Sequence, residues 1–155
     1  QKMKFSEIEQ RLLREIQADA GLSLAELSAR IGMAQSTLWR KMQEFEAAGV
    51  IRARVALLDP AKVGAKLCVL AQIGLADHSE TAVAGFTALV RRLPEVLECH
   101  SVSGQADYML KVRCRDVEAY EAFMSHHLLR SGFVREVHSS FALKEIKATT
   151  VLPLG

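Results

Sequence analysis

The chain of 155 residues is 50% hydrophobic, which is enough to bury a core, and its size fits one domain or two small ones. It holds no apolar run near the roughly 20 residues that a membrane span requires, and its start lacks the apolar stretch of a secretory signal. We therefore expect a protein of the cytoplasm that has no membrane partner.

The net charge of +2 at pH 7 is too small to indicate a nucleic-acid partner by itself, so the distribution of charge matters more. Residues 1–66 hold 11 Lys and Arg against 8 Asp and Glu, whereas residues 67–155 hold 9 against 10. The density of basic residues in the N-terminal part therefore indicates where a nucleic acid would bind. These residues are Arg30, Arg40, Lys41, Arg52 and Arg54.

Three helices are predicted in the first fifty residues. Apolar residues recur at helical spacing over residues 6–18, which predicts the first helix. Ser23 and Glu26 have the spacing of a capping box, which predicts the start of the second helix. Gly32 permits a tight turn before a third helix, which Gly49 ends. Two helices joined by a tight turn form a helix-turn-helix pattern.

The third helix has the surface of a recognition helix. Leu38, Met42 and Phe45 share its inner face, so its outer surface is polar and basic in the N-terminal half. Arg and Gln side chains there can pair with base edges in the major groove, although a solvated helix of an ordinary three-helix bundle is the alternative. Trp39 is expected in the core, and a position against a phosphate is the alternative. The predicted DNA-contacting residues of this helix are Gln35, Ser36, Thr37, Arg40 and Lys41.

The segment VIRARVALLDP follows the third helix and alternates apolar and basic residues up to Pro60. This alternation predicts a short strand or wing. Arg52 and Arg54 would contact backbone phosphate from it.

The remaining residues predict strands and helices in the order of a split βαβ motif. Two helices would cover one face of a four-stranded antiparallel sheet, a ferredoxin-like βαββαβ domain. The uncovered face would expose an apolar patch, so we expect a homodimer that packs sheet to sheet. The predicted elements are strand 66–76, helix 80–92, strands 96–102 and 108–114, a helix capped by Asp116, and strand 134–146.

The run SVSGQADYMLKV connects the two central strands of that domain. It puts a glycine and a carboxylate, Gly104 and Asp107, at a strand junction where a small amine could dock. The alternative is a hairpin in which Asp107 merely caps the turn.

The chain resembles the Lrp/AsnC regulators, the feast/famine transcription factors of bacteria and archaea. The resemblance is carried in the N-terminal part by SLAELSARIGMAQSTLWRKMQEFEAAGVIRARVALLDPAKVG and in the C-terminal part by LPEVLECHSVSGQADYMLKV and SSFALKEIKATTVLPL. Ala34, Gln35 and Arg54 depart from the residues usual in the family at these positions, which bears on the operator sequence. The resemblance implies an α+β chain with a (winged) helix-turn-helix domain at residues 1–60 and a ferredoxin-like effector-sensing domain at residues 61–155.

The resemblance also implies an effector and an assembly. In the family's GxxDY turn, backbone amides beside the glycine approach an amino acid's carboxylate while the aspartate meets its ammonium. A pocket completed between dimers, within a higher oligomer such as an octamer, is implied as well. No cofactor, metal or catalytic residue is implied. The matching effector residues are Ser103, Gly104, Gln105, Ala106, Asp107 and Tyr108 in the turn, with Ser139 and Ser140 on the last strand.

Two other functions are weighed against an amino-acid-responsive regulator. The first is a regulator that binds DNA without an effector, because Gln105 and Ala106 replace the acidic and aromatic residues frequent in the turn. The second is a small dimeric enzyme, which the sequence disfavours because the histidines lack metal-site spacing and the three cysteines form no CxxC pair. Those histidines are His100, His126, His127 and His138.

Overall fold

The computed structural model describes residues 2–154, which form two compact units. The first unit contains residues up to Ala56 together with the segment from Lys147 onward, and the second contains Leu57–Ile146. The division expected from the sequence, 1–60 and 61–155, differs in that the last residues of the chain belong to the first unit. Among residues 2–154, no helix is both long and apolar enough to cross a membrane.

The first unit is built from three helices around one apolar core. Ser6 and Ser23 cap the first two helices. In each case the side chain of the glutamate three residues later accepts from the serine N–H, so both N-terminal ends are complete capping boxes. Gly32 adopts a left-handed conformation with φ 77°, which makes the tight turn before the third helix. The helices are α1 (Glu7–Ala18), α2 (Leu24–Ile31) and α3 (Gln35–Ala47), and the core they share contains Leu12, Ile16, Leu27, Ile31, Leu38, Met42 and Phe45.

The last residues of the chain pack within this first unit. The Gln17 side chain on α1 donates to the Leu152 carbonyl at 2.8 Å and accepts from the Leu152 N–H at 2.8 Å. One glutamine amide therefore pairs with both backbone groups of Leu152, as a neighbouring strand would. Arg14 donates to the Leu154 carbonyl as well, at 3.4 Å.

The second unit is a four-stranded antiparallel sheet with helices on one face. The strand order is β2-β3-β1-β4, which confirms the predicted ferredoxin-like βαββαβ arrangement. Alternate residues of β1 and β3 point into the core, where Phe86 is fully buried. The elements are β1 (Leu67–Leu75), α4 (Glu80–Arg92), β2 (Val96–Ser101), β3 (Tyr108–Cys114), α5 (Val117–Phe123) and β4 (Val134–Phe141), with a π turn at Met124–Leu128 and a 3₁₀ turn at Leu129–Ser131 between the last two.

Two of the predicted strands are wrong: one is shorter than predicted and the other does not form. β4 ends at Phe141 and not at residue 146, because its partner β1 begins at Leu67 and the last backbone bond runs from Ala142 N–H to the Cys68 carbonyl at 3.0 Å. Leu143 beyond it is 98% exposed. The short strand predicted over VIRARVALLDP is absent from the described chain, since the segment has no strand beside it with which to form a ladder.

Candidate functional site

The outer surface of α3 presents several of the predicted DNA-contacting side chains. Gln35, Ser36 and Arg40 are exposed, whereas Thr37 is half-buried. Ala34, which precedes the helix, provides no side-chain cap, and the first turn contains no acidic residue. Its positive N-terminal dipole is therefore not neutralised locally, which favours an approaching phosphate.

Lys41 lies differently from the other basic residues of α3. Its Nζ is 2.9 Å from Oε1 of Glu9 on α1 and 3.0 Å from Oε2 of Glu44, and its side chain is largely covered. The hydrogen bond from Lys41 is the main reason that the pKa of Glu9 is lowered, and Glu9 in turn raises the pKa of Lys41. This lysine joins α3 to α1 within the unit, so its charge is already compensated.

The two arginines after α3 are exposed, in a segment without regular secondary structure. Arg54 Nη2 lies 2.7 Å from Glu46 Oε1. For Arg52 and Arg40, no hydrogen bond or ion pair to another side chain is found within residues 2–154. Among the basic residues predicted to contact DNA, Arg40 and Arg52 are therefore the ones whose donors are unengaged in the described chain.

Trp39 is placed wrongly by the sequence prediction. It was expected in the core, but it is 55% exposed on α3, and the apolar cluster of the unit forms without it. The sequence contains no signal that separates these outcomes, because an aromatic residue next to Leu38 fits either the edge of the buried face or the outer surface.

The turn between β2 and β3 has the two features that the predicted effector site requires. Gly104 has φ 106°, which a residue with a side chain rarely adopts, and a Cβ built there meets no atom within 4 Å. Asp107 is half-buried at the end of the turn, beside exposed Ser103 and Gln105. The glycine is thus required by the backbone conformation, and it leaves the turn open to solvent.

Asp107 also fastens the turn to β1. Its N–H donates to the Ile73 carbonyl at 2.9 Å, and its carboxylate Oδ2 accepts from the Leu75 N–H at 2.8 Å. These contacts hold the turn against β1 and differ from the alternative in which the aspartate caps the turn, since the carboxylate accepts from β1 and from no N–H of the turn in the described chain.

His78 is a neighbour of Asp107 that the sequence interpretation missed. Its Nε2 lies 3.0 Å from Asp107 Oδ2, although the two residues are distant in sequence. The Leu75 N–H, followed by the His78 imidazole and the more distant Arg135, lowers the pKa of the Asp107 carboxyl. No spacing pattern in the sequence links residues 78 and 107, because the contact depends on the β1–β3 register.

The other predicted effector residues face different ways. The Tyr108 ring packs on Phe86 of α4, with ring centroids 4.8 Å apart. Ser139 lies opposite Ala71 and is hydrogen-bonded to Tyr120 of α5, so it points toward the helices. Ser140, the next residue along β4, points to the uncovered face of the sheet. Ala106 is half-buried.

The fold and these surfaces define a helix-turn-helix DNA-binding protein that carries a separate ligand-binding domain. Residues 5–52 match the family described as winged helix-turn-helix DNA-binding, and residues 68–152 match the Lrp/AsnC ligand binding domain. The chain belongs to the Lrp/AsnC family of DNA-binding transcriptional regulators.

Similarity to known relatives and to solved structures extends along nearly the whole chain. It is 34% identical over 151 residues to the glutamate uptake regulatory protein of Zymomonas mobilis, covering 97% of this chain and 92% of that one. It is 34% identical over 145 residues to the leucine-responsive regulatory protein of Salmonella typhimurium, covering 94% and 88%.

Among solved structures, a transcriptional regulator of Neisseria meningitidis in complex with L-Met superposes with a TM-score of 0.93, 34% identity and 97% coverage of both chains. An AsnC family regulator of Agrobacterium tumefaciens superposes with a TM-score of 0.91, 40% identity and coverage of 96% and 97%.

Proposed function

We propose that this regulator responds to an α-amino acid bound at the turn between β2 and β3. The observation that carries the proposal is the Asp107 carboxylate at the open turn beside Gly104. The effector's ammonium would pair with this carboxylate, while backbone N–H groups near Gly104 would donate hydrogen bonds to the effector's carboxylate. The Neisseria meningitidis relative, solved with L-Met, supports an amino acid as the ligand class.

The side chain of the effector would be selected by the rest of the turn. Gln105 is exposed and Ala106 is small, so the pocket wall would be set by whichever residues a second copy of the chain contributes. Ser140 faces the uncovered side of the sheet and is the better placed of the two serines for that role. Ser139 would instead act indirectly, through Tyr120.

The proposed mechanism is a change of assembly. Homodimers would form through the uncovered sheet face and assemble further, with an octamer as the expected oligomer, which would present several copies of α3 to double-stranded DNA. An effector bound between copies can shift that equilibrium only through its different affinity for the two assembly states. We place this activity in the cytoplasm and assign no cofactor, metal or catalytic residue to it.

The test of the effector site uses two variants of Asp107. Because the Leu75 N–H needs an acceptor, Asp107→Asn is the main variant: it keeps an oxygen for that N–H and removes the charge. Asp107→Ala removes both. We expect calorimetry with a panel of the common amino acids to find a ligand for the wild type, and Asp107→Asn to abolish that binding while unfolding at nearly the wild-type temperature. Undiminished binding by Asp107→Asn would place the site elsewhere.

A second candidate function, regulation without an effector, is favoured by His78. The imidazole already gives the Asp107 carboxylate a hydrogen-bonding partner at 3.0 Å, so the carboxylate does not depend on a ligand for one. In that case no amino acid in the panel would bind, and wild type and Asp107→Asn would have the same affinity for DNA under every condition.

The proposed DNA contacts divide into base readout by α3 and phosphate contacts by the following segment. Changing Arg40 to Ala is expected to weaken binding to the preferred sequence by about 1–3 kcal/mol, which is typical of a base contact. Changing Arg52 to Ala should weaken binding to all duplexes and flatten the dependence of affinity on salt. Fluorescence anisotropy on preferred and random duplexes checks both, and an equal loss on the two duplexes for Arg40→Ala would contradict base readout.

A further inference from the structure

The most unusual side chain on the outer surface of α3 is Trp39. It is the chain's one tryptophan, and 55% of its surface is exposed. Tryptophan is highly buried on average, because its rings carry a large apolar area. The core of this unit is complete without it: Leu38 and Met42 on the same helix are buried, and Trp39 lies outside their cluster.

Trp39 lies on the flank of α3 that faces away from α1. Successive residues of a helix are rotated by about 100°, so residues 39 and 41 lie on opposite flanks. Lys41 contacts Glu9 of α1, which fixes the orientation of its flank. The residues one turn from Trp39 on its own flank and on the outer face are polar and exposed, namely Gln35, Ser36 and Gln43.

The indole has no partner in the described part of the chain. Neither a hydrogen bond from its N–H nor an aromatic ring against its face is found there, although buried or interfacial tryptophans usually have one. Trp39 is the fifth residue of α3, within the first half of the helix. In a helix-turn-helix protein this half contacts base edges in the major groove.

We propose that Trp39 is a specificity-determining residue that packs against the methyl group of a thymine in the major groove. The thymine methyl is the apolar feature of that groove, and apolar side chains are the ones that contact it. The indole of Trp39, which is exposed in the free protein, would thus become buried when DNA binds. The inference rests on the proposed placement of α3 in the major groove, and it adds to the basic and amide residues an apolar contact that charge analysis does not find.

The first experiment uses the single tryptophan as its own reporter. The full-length protein is mixed with a fluorescently labelled duplex recovered by the wild type from a pool of random sequences. Anisotropy of the label measures the bound fraction, and quenching of Trp39 emission by acrylamide measures its accessibility. We expect accessibility to fall in proportion to the bound fraction. Trp39→Phe supplies the background, because it removes all tryptophan emission.

The second experiment identifies the base. Each thymine of the recovered duplex is replaced in turn by uracil, which removes only the methyl group. For the wild type we expect one position in each half-site at which this replacement weakens binding about fourfold, the equivalent of one buried methyl group. Trp39→Ala and Trp39→Gln should bind the thymine and uracil duplexes equally at that position, while Arg40→Ala should keep the difference.

The outcomes separate this inference from the proposed function. If DNA binds and the accessibility of Trp39 is unchanged, or if no uracil replacement matters, Trp39 is not a base contact and the rest of the DNA proposal stands. If accessibility falls with protein concentration in the absence of DNA, the side chain lies between copies of the chain, and the inference is overturned. If no duplex is recovered or bound, the placement of α3 in the groove fails together with it. Thermal unfolding of each variant verifies that it is folded.

Discussion

In the proposed function, the Asp107 carboxylate serves both the fold and the ligand. Oδ2 accepts from the Leu75 N–H and contacts His78, so it stabilises the end of β1 before any ligand arrives. An arriving ammonium would find a carboxylate that is already ionised and oriented. Burial of an isolated aspartate would instead raise its pKa and disfavour the charged form that the ligand needs.

This arrangement predicts a dependence of stability on pH. Because the Leu75 N–H, and next the His78 imidazole, lower the pKa of Asp107 in the folded protein, its ionised form stabilises that state above the ordinary aspartate pKa of about 3.9. The stabilisation is lost as the pH falls through the folded-state pKa. Urea unfolding from neutral to acidic pH should therefore show a shallower decline for Asp107→Asn than for the wild type. Parallel curves would mean that Asp107 does not titrate differently on folding.

The basic residues differ in how well the sequence predicts their roles. Composition and periodicity place Arg40 and Lys41 together on the outer part of α3, but only one of them is unengaged in the described chain. The Lys41–Glu9 contact joins two helices whose relative position depends on the packed core. Periodicity specifies the face of a helix and gives no information about which neighbouring helix that face meets.

At the scale of elements, the sequence predicts correctly those features that depend only on residues close together in the chain. Both capping boxes and the left-handed Gly32 follow from residues close in sequence, and α4 has the bounds that were predicted. The errors occur where a strand depends on its partner. β4 ends where its antiparallel partner β1 begins, and β2 has an irregularity between Val96 and Glu98 that shifts its pairing with β3.

The packing of α4 within the second unit depends on a glycine that no sequence pattern singles out. A Cβ at Gly85 would lie 2.5 Å from Cζ of the Phe133 ring, and Phe133 is packed against the buried core. Alanine normally stabilises a helix interior relative to glycine by about 1 kcal/mol. We expect Gly85→Ala nevertheless to destabilise the protein by about 1–3 kcal/mol, because the ring must move within a packed core.

Denaturant unfolding of the full chain, followed through the second unit, checks this effect. Thr81→Ala is the matched control, since Thr81 is exposed on the same helix and its replacement creates no contact. A variant Gly85→Ala as stable as Thr81→Ala would show that Phe133 relaxes freely.

At the scale of the whole molecule, the chain joins its two units twice. It leaves the first unit after Ala56 and returns to it at Lys147, where the last residues bind α1 through Gln17. Residues 142–146 connect this return to β4, which carries Ser139 and Ser140. A rearrangement of β4 on assembly would therefore reach the DNA-binding unit through a covalent path that is independent of the segment after α3.

The uncovered face of the sheet is the surface through which we propose that copies of the chain associate. Leu70 lies on that face, on the central strand β1, opposite Lys111 on one side and Ser140 on the other, and is 44% exposed. In the proposed dimer this face is covered by a second copy, and Leu70 lies near its centre. Leu129 has the same 44% exposure but lies in the turn after α5, away from the sheet strands.

We therefore expect Leu70→Asp to give monomers at concentrations where the wild type and Leu129→Asp remain assembled, as measured by light scattering on a sizing column. An aspartate buried against a second copy would lose its hydration, a cost that the one cation opposite it, Lys111, does not recover, which disfavours association. Because linked recognition helices bind DNA far more tightly than single ones, the Leu70→Asp monomer should lose about 10²-fold or more in DNA affinity. Its single copy of α3 would still prefer the same half-site, since base readout belongs to the helix and not to the assembly. A monomer with wild-type affinity would mean that one α3 is sufficient for binding, and an assembly unaffected by Leu70→Asp would remove the sheet face from the dimer.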